Sequence, residues 1–447
     1  MVKFRSTRPR FKATGDGTGV VNHAGARVFA DLADRIGLTG GLSGAMASTK
    51  QRRRGHDRGQ VLADLAVMLA DGGETISDLR VLRDQPDLFG DVASTSTAWR
   101  TLDAIGPAEL DAIAAARADA RRRAWELGMD PGFYVVDIDA TLVNSHSDKE
   151  HAAPTYKRGF GFHPIVAYLD ATGEALAVVL RRGNAGSGTA VDHVTVLDAA
   201  LAQLPVDPTA TEVIARTDSA GRSHKFLDAC QERGVRFVVG QPLEQDLATI
   251  VVSVPDRDWR TAISADGTSE CNGREVTEIT HLVDLSGWPP GTRMIARRED
   301  AHPGAQLTFT DIDGRRYQLL LTDLTDPDIC YIEGVYRGRG RCEQRIADAK
   351  DTGLANLPSY DFAINTAWVN LVMIAQDLFA WFAGLGLDPT SDLARAEPKR
   401  IRYTLLHVAA TITRSGRRTR LRFSQTWPWT DQLVEAFDRI QAIPIRT

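Results

Sequence analysis

The sequence is short of cysteine. Its 447 residues hold four, Cys230, Cys271, Cys330 and Cys342, scattered and without CxxC spacing. That argues against a zinc site or a disulfide framework and fits a reducing compartment. The start also lacks an apolar run. MVKFRSTRPRFKATGDG carries charge where a signal peptide needs apolar residues, so a cytoplasmic protein is expected. No long apolar stretch is uninterrupted. The most apolar one, from Ala363, is broken by Asn365, Asn370, Gln376 and Asp377, which predicts a buried core helix and no membrane span. Internal repeats and low-complexity segments are missing too.

Charge of one sign is not in large excess. The net charge is −5 and the pI near 6.1, which by itself argues mildly against a nucleic-acid partner. The distribution points the other way. Basic clusters occupy residues 3–12, 50–58 (KQRRRGHDR), 337–345, 399–402 and 414–422 (RSGRRTRLR). Segregated charge permits a local polyanion groove on an acidic protein. Arg417 and Arg418 in the last cluster are the phosphate-contact candidates outside the core.

What is present is ordinary globular material, 43% hydrophobic and 25% charged, long enough for about three domains. Residues 1–25 read as a flexible basic arm. From 25 to 127 the apolar spacing is helical, with alanine-rich segments. At Gly132 the period changes. FYVVDIDATLV is an alternating, β-branched strand, and HPIVAYLDATGEALAVVLRRG predicts a hairpin around 170–173. Strands and helices then alternate to about 240, an α/β pattern. From 243 to 330 the helical pattern largely disappears, which predicts an all-β insertion. Helical pattern returns to about 385. The tail predicts an apolar helix near 401–412, a basic strand RRTRLRF and a last helix near 431–440. The boundaries are 1–130, 131–242, 243–330, 331–386 and 387–447.

The most informative stretch is YRGRGRCEQRIADAK, residues 336–350. On one helix, Tyr336, Arg339 and Lys350 lie at roughly +20°, −40° and −20° from Glu343. A carboxylate among two cations and a phenol suits a site that holds a metal ion and a phosphodiester together. Gly338 and Gly340 weaken a helix there, so it can begin as late as Arg341. Asp137 and Asp139 share one face of the first strand, and either could bind metal. Asp218 ends another strand, where α/β folds place their sites. Ser219 or Ser223 is available to cap the next helix, which frees Asp218. Two strand-borne aspartates and one helix-borne glutamate meet the needs of a two-metal phosphodiester site.

With these residues the chain resembles the DDE transposases of bacterial insertion sequences. Tyr336, Arg339, Glu343 and Lys350 complete their Tyr-x2-Arg-x3-Glu-x6-Lys signature, Asp139-Ala140-Thr141 matches the first-strand motif, and Arg216-Thr217-Asp218-Ser219 the second. The layout is most similar to the insertion-sequence family numbered thirteen-eighty. The resemblance implies an α/β fold: a ribonuclease H-like catalytic core, a mixed sheet with flanking helices, interrupted by the β insertion. An N-terminal helical DNA-binding domain and a helical C-terminal tail flank it. It implies cut-and-paste transposition, with Asp139, Asp218 and Glu343 as catalytic ligands for Mg²⁺, which Mn²⁺ replaces. Tyr336, Arg339 and Lys350 would hold the DNA backbone. The partners implied are double-stranded DNA, as inverted repeats and target, and a second copy of the chain in a synapsed homodimer at the nucleoid. Trp259 or Trp288 is implied as a stacking platform for a flipped base.

Overall fold

The computed structural model describes residues 11–50, 55–186, 188–264, 267, 269–300, 311–312, 314–416 and 418–445. A single mixed sheet forms its spine. The strands, in chain order, are β1 (Tyr134–Ala140), β2 (Ile165–Leu169), β3 (Ala175–Val179), β4 (Val213–Thr217), β5 (Arg236–Gln241), β6 (Arg260–Ile263), β7 (Glu270–Glu278), β8 (Arg293–Asp300), β9 (Asp311–Ile312) and β10 (Arg315–Thr322). Their spatial order is β6-β7-β8-β10-β5-β4-β1-β2-β3, with β9 on β10. β1, β4 and β5 are parallel, whereas β2 runs antiparallel to β1 and β3 to β2. A short turn joins β2 to β3, a longer segment with its own small sheet (Val143–Asn144, Ala153–Pro154, Phe160–Phe162) joins β1 to β2, and parallel neighbours need the crossovers that helices supply. This is the ribonuclease H-like arrangement, a mixed sheet with flanking helices.

The segment 243–330 is strand-rich, as its pattern predicts, but β10 pairs with β5. Its strands therefore extend the core sheet. It also contains an α-helix, Gln245–Ser253, whose run of β-branched Ile250, Val251 and Val252 reads as strand.

The principal helices before the sheet are α1 (Arg27–Arg35), α2 (Leu38–Ala45), α3 (Arg58–Ala70), α4 (Thr95–Asp103) and α5 (Pro107–Ala124). Ser94 caps α4 by accepting from the Thr97 amide. Within the sheet region come α6 (Ala190–Leu201) and α7 (His224–Glu232). After the insertion come α9 (Ile329–Arg337), α10 (Gly340–Ala349) and α11 (Phe362–Leu385), if Gln245–Ser253 is counted as α8. α11 is long and apolar enough to cross a membrane by length and composition. Here it packs against α3 and β3 and carries the buried Trp368 and Trp381, so it is the core helix between the helical region and the sheet.

The termini differ from their expected forms. Of the arm expected over residues 1–25, residues 1–10 lie outside the described residues, and Val20–Val21 pairs with the strand Ala410–Ser415. The helix expected near 401–412 is a short one, Pro398–Ile401, followed by a wider turn, Arg402–Leu406. The chain then turns extended, since the alternating, β-branched Thr411, Ile412 and Thr413 pair with Arg418–Phe423 in a hairpin. The last helix is Thr430–Ala442.

Candidate active site

Alternation along β1 decides which carboxylates meet the helices. Val136 and Ile138 join the large core, whereas Val135 joins the smaller cluster formed with Val335 and Tyr336 of α9. Asp137 and Asp139 share the Val135 face. Their fates then diverge. Asp137 is buried, and both its oxygens accept from Arg216, at 2.6 and 2.7 Å. Burial pushes its carboxyl up to about 6, against the pull of Arg216. Asp139, at the strand's carboxyl end, accepts at Oδ1 from the Ala140 amide and turns Oδ2 to Arg339 Nη2, 2.7 Å away. Burial also raises its pKa, and Arg339 opposes the rise.

Asp218 follows β4. Ser223 caps α7 by accepting from the Phe226 amide, and Asp218 caps only the short turn Ser219–Gly221 before it. Its Oδ1 accepts from the Ala220 amide, while Oδ2 lies 3.8 Å from the same Arg339 Nη2. Glu343 approaches from α10, with Oε1 3.6 Å from Arg339 Nη1. Three acids from three elements therefore surround one guanidinium. Like charges converge only where a cation holds them, and here that cation is Arg339. The three carboxylates do not close to within 4.8 Å of one another. Among the described residues only His23, Asp71 and His407 do so. Their exposure is graded: the Asp139 side chain is 14% exposed, Asp218 39% and Glu343 70%. Hard oxygens at two strand ends, with a third on an accessible helix, are a donor set suited to Mg²⁺ or Mn²⁺.

The signature residues do not lie on one continuous helix. Tyr336 ends α9, Arg339 sits between α9 and α10, and Lys350 begins a wider turn, Lys350–Leu354. The break has a packing cause. A Cβ on Gly338 would lie 2.5 Å from Arg216 Nη1 and 2.7 Å from Arg341 Nη2. Arg216, locked on Asp137 and 3.2 Å from Asp170, passes under this glycine to the Val335 carbonyl. Arg341 grips Asp170 from outside, at 2.6 and 2.5 Å. The chain Asp137–Arg216–Asp170–Arg341 thus fixes the start of α10, and with it Arg339 and Glu343. In the sequence Arg216 stands only as a member of the second-strand motif and Asp170 only as a turn residue, and neither position reveals their pairing. An arginine inside an apolar strand, VIART, is the signal that could have found the first.

Tyr336 is buried, and its hydroxyl reaches the backbone of Gly240, where a Cβ would stand 2.5 Å from it. A cleft of about 500 Å³ opens beside it, bounded by Asp218, Gln241, Arg297, Arg316, Tyr336 and Arg339. Lys350 is two helical turns beyond Glu343 and is not among the groups that pair with the acids. Its pKa is lowered by burial and by Lys157 nearby. Trp259 is buried under the Arg298 guanidinium. Trp288 stacks on His224 with centroids 4.1 Å apart, which gives that histidine a packing role. His163 is buried and bonded through Nδ1 to the Ala185 carbonyl.

Arg418 lies on the exposed face of the C-terminal hairpin with Arg420 and Arg422, while Leu421 and Phe423 pack inward. Arg417 lies outside the described residues. The basic run suggests the adjacent pair 417 and 418, whereas the strand's period of two selects 418, 420 and 422.

We expect Gly338→Ala to lower DNA cleavage about 10–100-fold, because shifting α10 misplaces Arg339 and Glu343 together. Single-turnover cleavage beside a melting curve checks this. A cleavage rate equal to that of the parent would mean that the Arg216 passage does not set the site.

The match of a transposase DDE-domain family model to nearly the whole chain implies, in general, a metal-dependent polynucleotidyl transferase or nuclease. Within that class the chain belongs to the family described as transposase DDE domain group 1, whose model matches residues 5–445. Members of this family generally use divalent metal ions. No curated protein matches the chain. Among solved structures the chain is similar to the piggyBac transposase synaptic complex with hairpin DNA, at 10% identity and a TM-score of 0.38, over 94% of this chain and 85% of that one.

Proposed function

We propose that this transposase binds the terminal inverted repeats of its element, cuts the ends and joins their 3′-hydroxyls to target DNA. Its layout, with the Asp139-Ala140-Thr141 strand and the Arg216-Thr217-Asp218-Ser219 strand, supports membership of the insertion-sequence family numbered thirteen-eighty. Asp139, Asp218 and Glu343 are its metal ligands. The observation that carries this is the meeting of those three acids at Arg339. When bound, Mg²⁺ or Mn²⁺ supplies Lewis-acid stabilisation of the attacking and leaving oxygens. The rest falls to the chain. Arg339 stays between the carboxylates and reaches a non-bridging phosphate oxygen, Tyr336 lines the cleft for the nucleotide at the cut end, and Lys350 with Lys157 holds the backbone further along. In cleavage, water adds to phosphorus and the 3′-oxygen leaves. In joining, that 3′-hydroxyl adds to a target phosphate and displaces its neighbour's 3′-oxygen. Two copies pair the two element ends, and the protein works at the nucleoid.

The test supplies labelled element ends, a supercoiled target and Mg²⁺. Joined products support transposition, and nicking alone would reassign the chain as a nuclease. The hairpin arginines make a separate expectation. Replacing Arg418, Arg420 and Arg422 with alanine should shallow the slope of log affinity against log salt by about 0.9 for each phosphate that is no longer neutralised. Binding to element ends and to random duplex should weaken alike. An unchanged slope would remove the hairpin from the DNA interface.

A further inference from the structure

Among the described residues, one close group of ligating atoms outside the acids joins three distant parts of the chain. His23 precedes α1, Asp71 ends α3, and His407 precedes the C-terminal hairpin. His23 Nδ1 lies 2.6 Å from Asp71 Oδ2, and His407 Nε2 lies 3.3 Å from Asp71 Oδ1. The two imidazoles face each other with centroids 4.3 Å apart. The Asp71 side chain is 4% exposed, while those of His23 and His407 are 32% and 38% exposed. The carboxylate is therefore anchored inside, and the rings line a route from solvent. Asp71 Oδ1 is buried and makes no hydrogen bond of good geometry, because His407 Nε2, 3.3 Å away, is turned to the Asp71 carbonyl oxygen at 2.7 Å. An orphaned buried oxygen is costly unless something satisfies it.

The backbone is built around this arrangement. His23 holds a left-handed conformation, φ 51° and ψ 33°, which non-glycine residues adopt at a cost. The Ala24 amide donates to the Val408 carbonyl at 2.9 Å, which places the two histidine-bearing segments side by side. Gly25 lies so close that a Cβ would sit 1.8 Å from the Leu405 carbonyl oxygen. The Arg402 guanidinium acts on this group, but it is bonded to the Ala70 and Leu69 carbonyls at the end of α3.

We propose that His23, Asp71 and His407 form a binding site for one borderline divalent transition-metal ion such as Zn²⁺, separate from the carboxylate site. Two imidazoles and a carboxylate match zinc, which binds such nitrogens and oxygens at about 2.0–2.2 Å. Mg²⁺ prefers an all-oxygen shell and does not compete well for imidazole. In a tetrahedral site the donors stand roughly 3.3–3.5 Å apart, so small ring movements convert the present contacts into ligation. Water completes the shell. The ion fastens the N-terminal segment and the base of the basic hairpin to α3. Scarce cysteine does not bear on such a site, and its three residues are too far apart in sequence to form a motif.

The test uses the full chain, stripped with a chelator, dialysed and titrated with Zn²⁺ in excess Mg²⁺. One tight equivalent is expected, with a rise in melting temperature of roughly 2 °C or more. His23→Gln with His407→Gln should lose that equivalent, while Asp139→Asn keeps it. A second measurement needs no variant: one equivalent of Zn²⁺ should protect His23 and His407 from diethyl pyrocarbonate, mapped by peptide mass, and leave His224 reactivity unchanged. Absence of a saturable equivalent, its survival in the double variant, or unchanged modification of both histidines would overturn the site and leave a hydrogen-bonded clamp.

Discussion

Asp139→Asn should abolish cleavage of element ends, by about 10³-fold or more, which is a loss of about 4 kcal/mol of transition-state stabilisation, while affinity for the same DNA changes less than about twofold. The amide keeps the shape of the side chain and can still meet the Ala140 amide, but it offers a poor oxygen to a divalent ion. It also releases Arg339, whose 2.7 Å contact with Asp139 is its shortest in the site. Glu343→Gln should give the same loss without touching stability, since that side chain is largely exposed. Asp137→Asn should behave differently. It leaves the buried Arg216 short of a charge partner, so the melting temperature falls along with activity. Gel assays of end cleavage with Mg²⁺, beside melting curves for all three variants, separate the cases. Cleavage retained in Asp139→Asn or Glu343→Gln would remove that residue from the chemistry. A stable but inactive Asp137→Asn would move the first ligand to Asp137.

The sequence showed the strand-borne acids, the glutamate and their order, because the chemistry confines them to few residue types at marked positions. It also showed where the helical region gives way to the sheet, since the period shifts from 3.6 to two at Gly132. It could not rank Asp137 against Asp139 from the strand alone, because a shared face says nothing about what lies across it. Across that face Asp137 meets Arg216 and Asp139 meets Arg339, and both are long-range partners. The glycines of YRGRGR read as helix weakeners, yet Gly338 is there because a buried guanidinium passes under it. The C-terminal hairpin was half legible. RRTRLRF looked like a strand, but its partner looked like the end of a helix, because the pairing partner of Thr411–Thr413 is known only once the chain is folded.

The second large effect falls on the core. Asp377 and Gln376 served in the sequence only as interruptions of an apolar run, and Arg117 and Arg121 lay unremarked in an alanine-rich helical segment. All four are buried, and three of them form one network. Asp377 accepts from Arg117 Nε and Nη2 at 3.1 and 2.8 Å, from Arg121 Nη2 at 3.0 Å and from the Ala175 amide at 2.9 Å. Glu174 accepts from Arg121 at 3.1 Å and from the indoles of Trp125 and Trp381 at 3.0 and 2.6 Å. The network ties α5, from the helical region, to the first residue of β3 and to α11. Asp377→Ala should therefore destabilise the fold by about 3–5 kcal/mol, because it strands one guanidinium and weakens another in a dry interior. Arg117→Met with Asp377→Leu should cost less than the two single changes together, since Arg121 keeps Glu174 and Gln203 as partners. Urea unfolding followed by tryptophan fluorescence and by circular dichroism reads both quantities. The two probes should report one transition, because the helical region and the sheet share these charges. Additive costs, or a helical region that melts ahead of the sheet, would mean that apolar packing around α11 joins them and the buried charges do not.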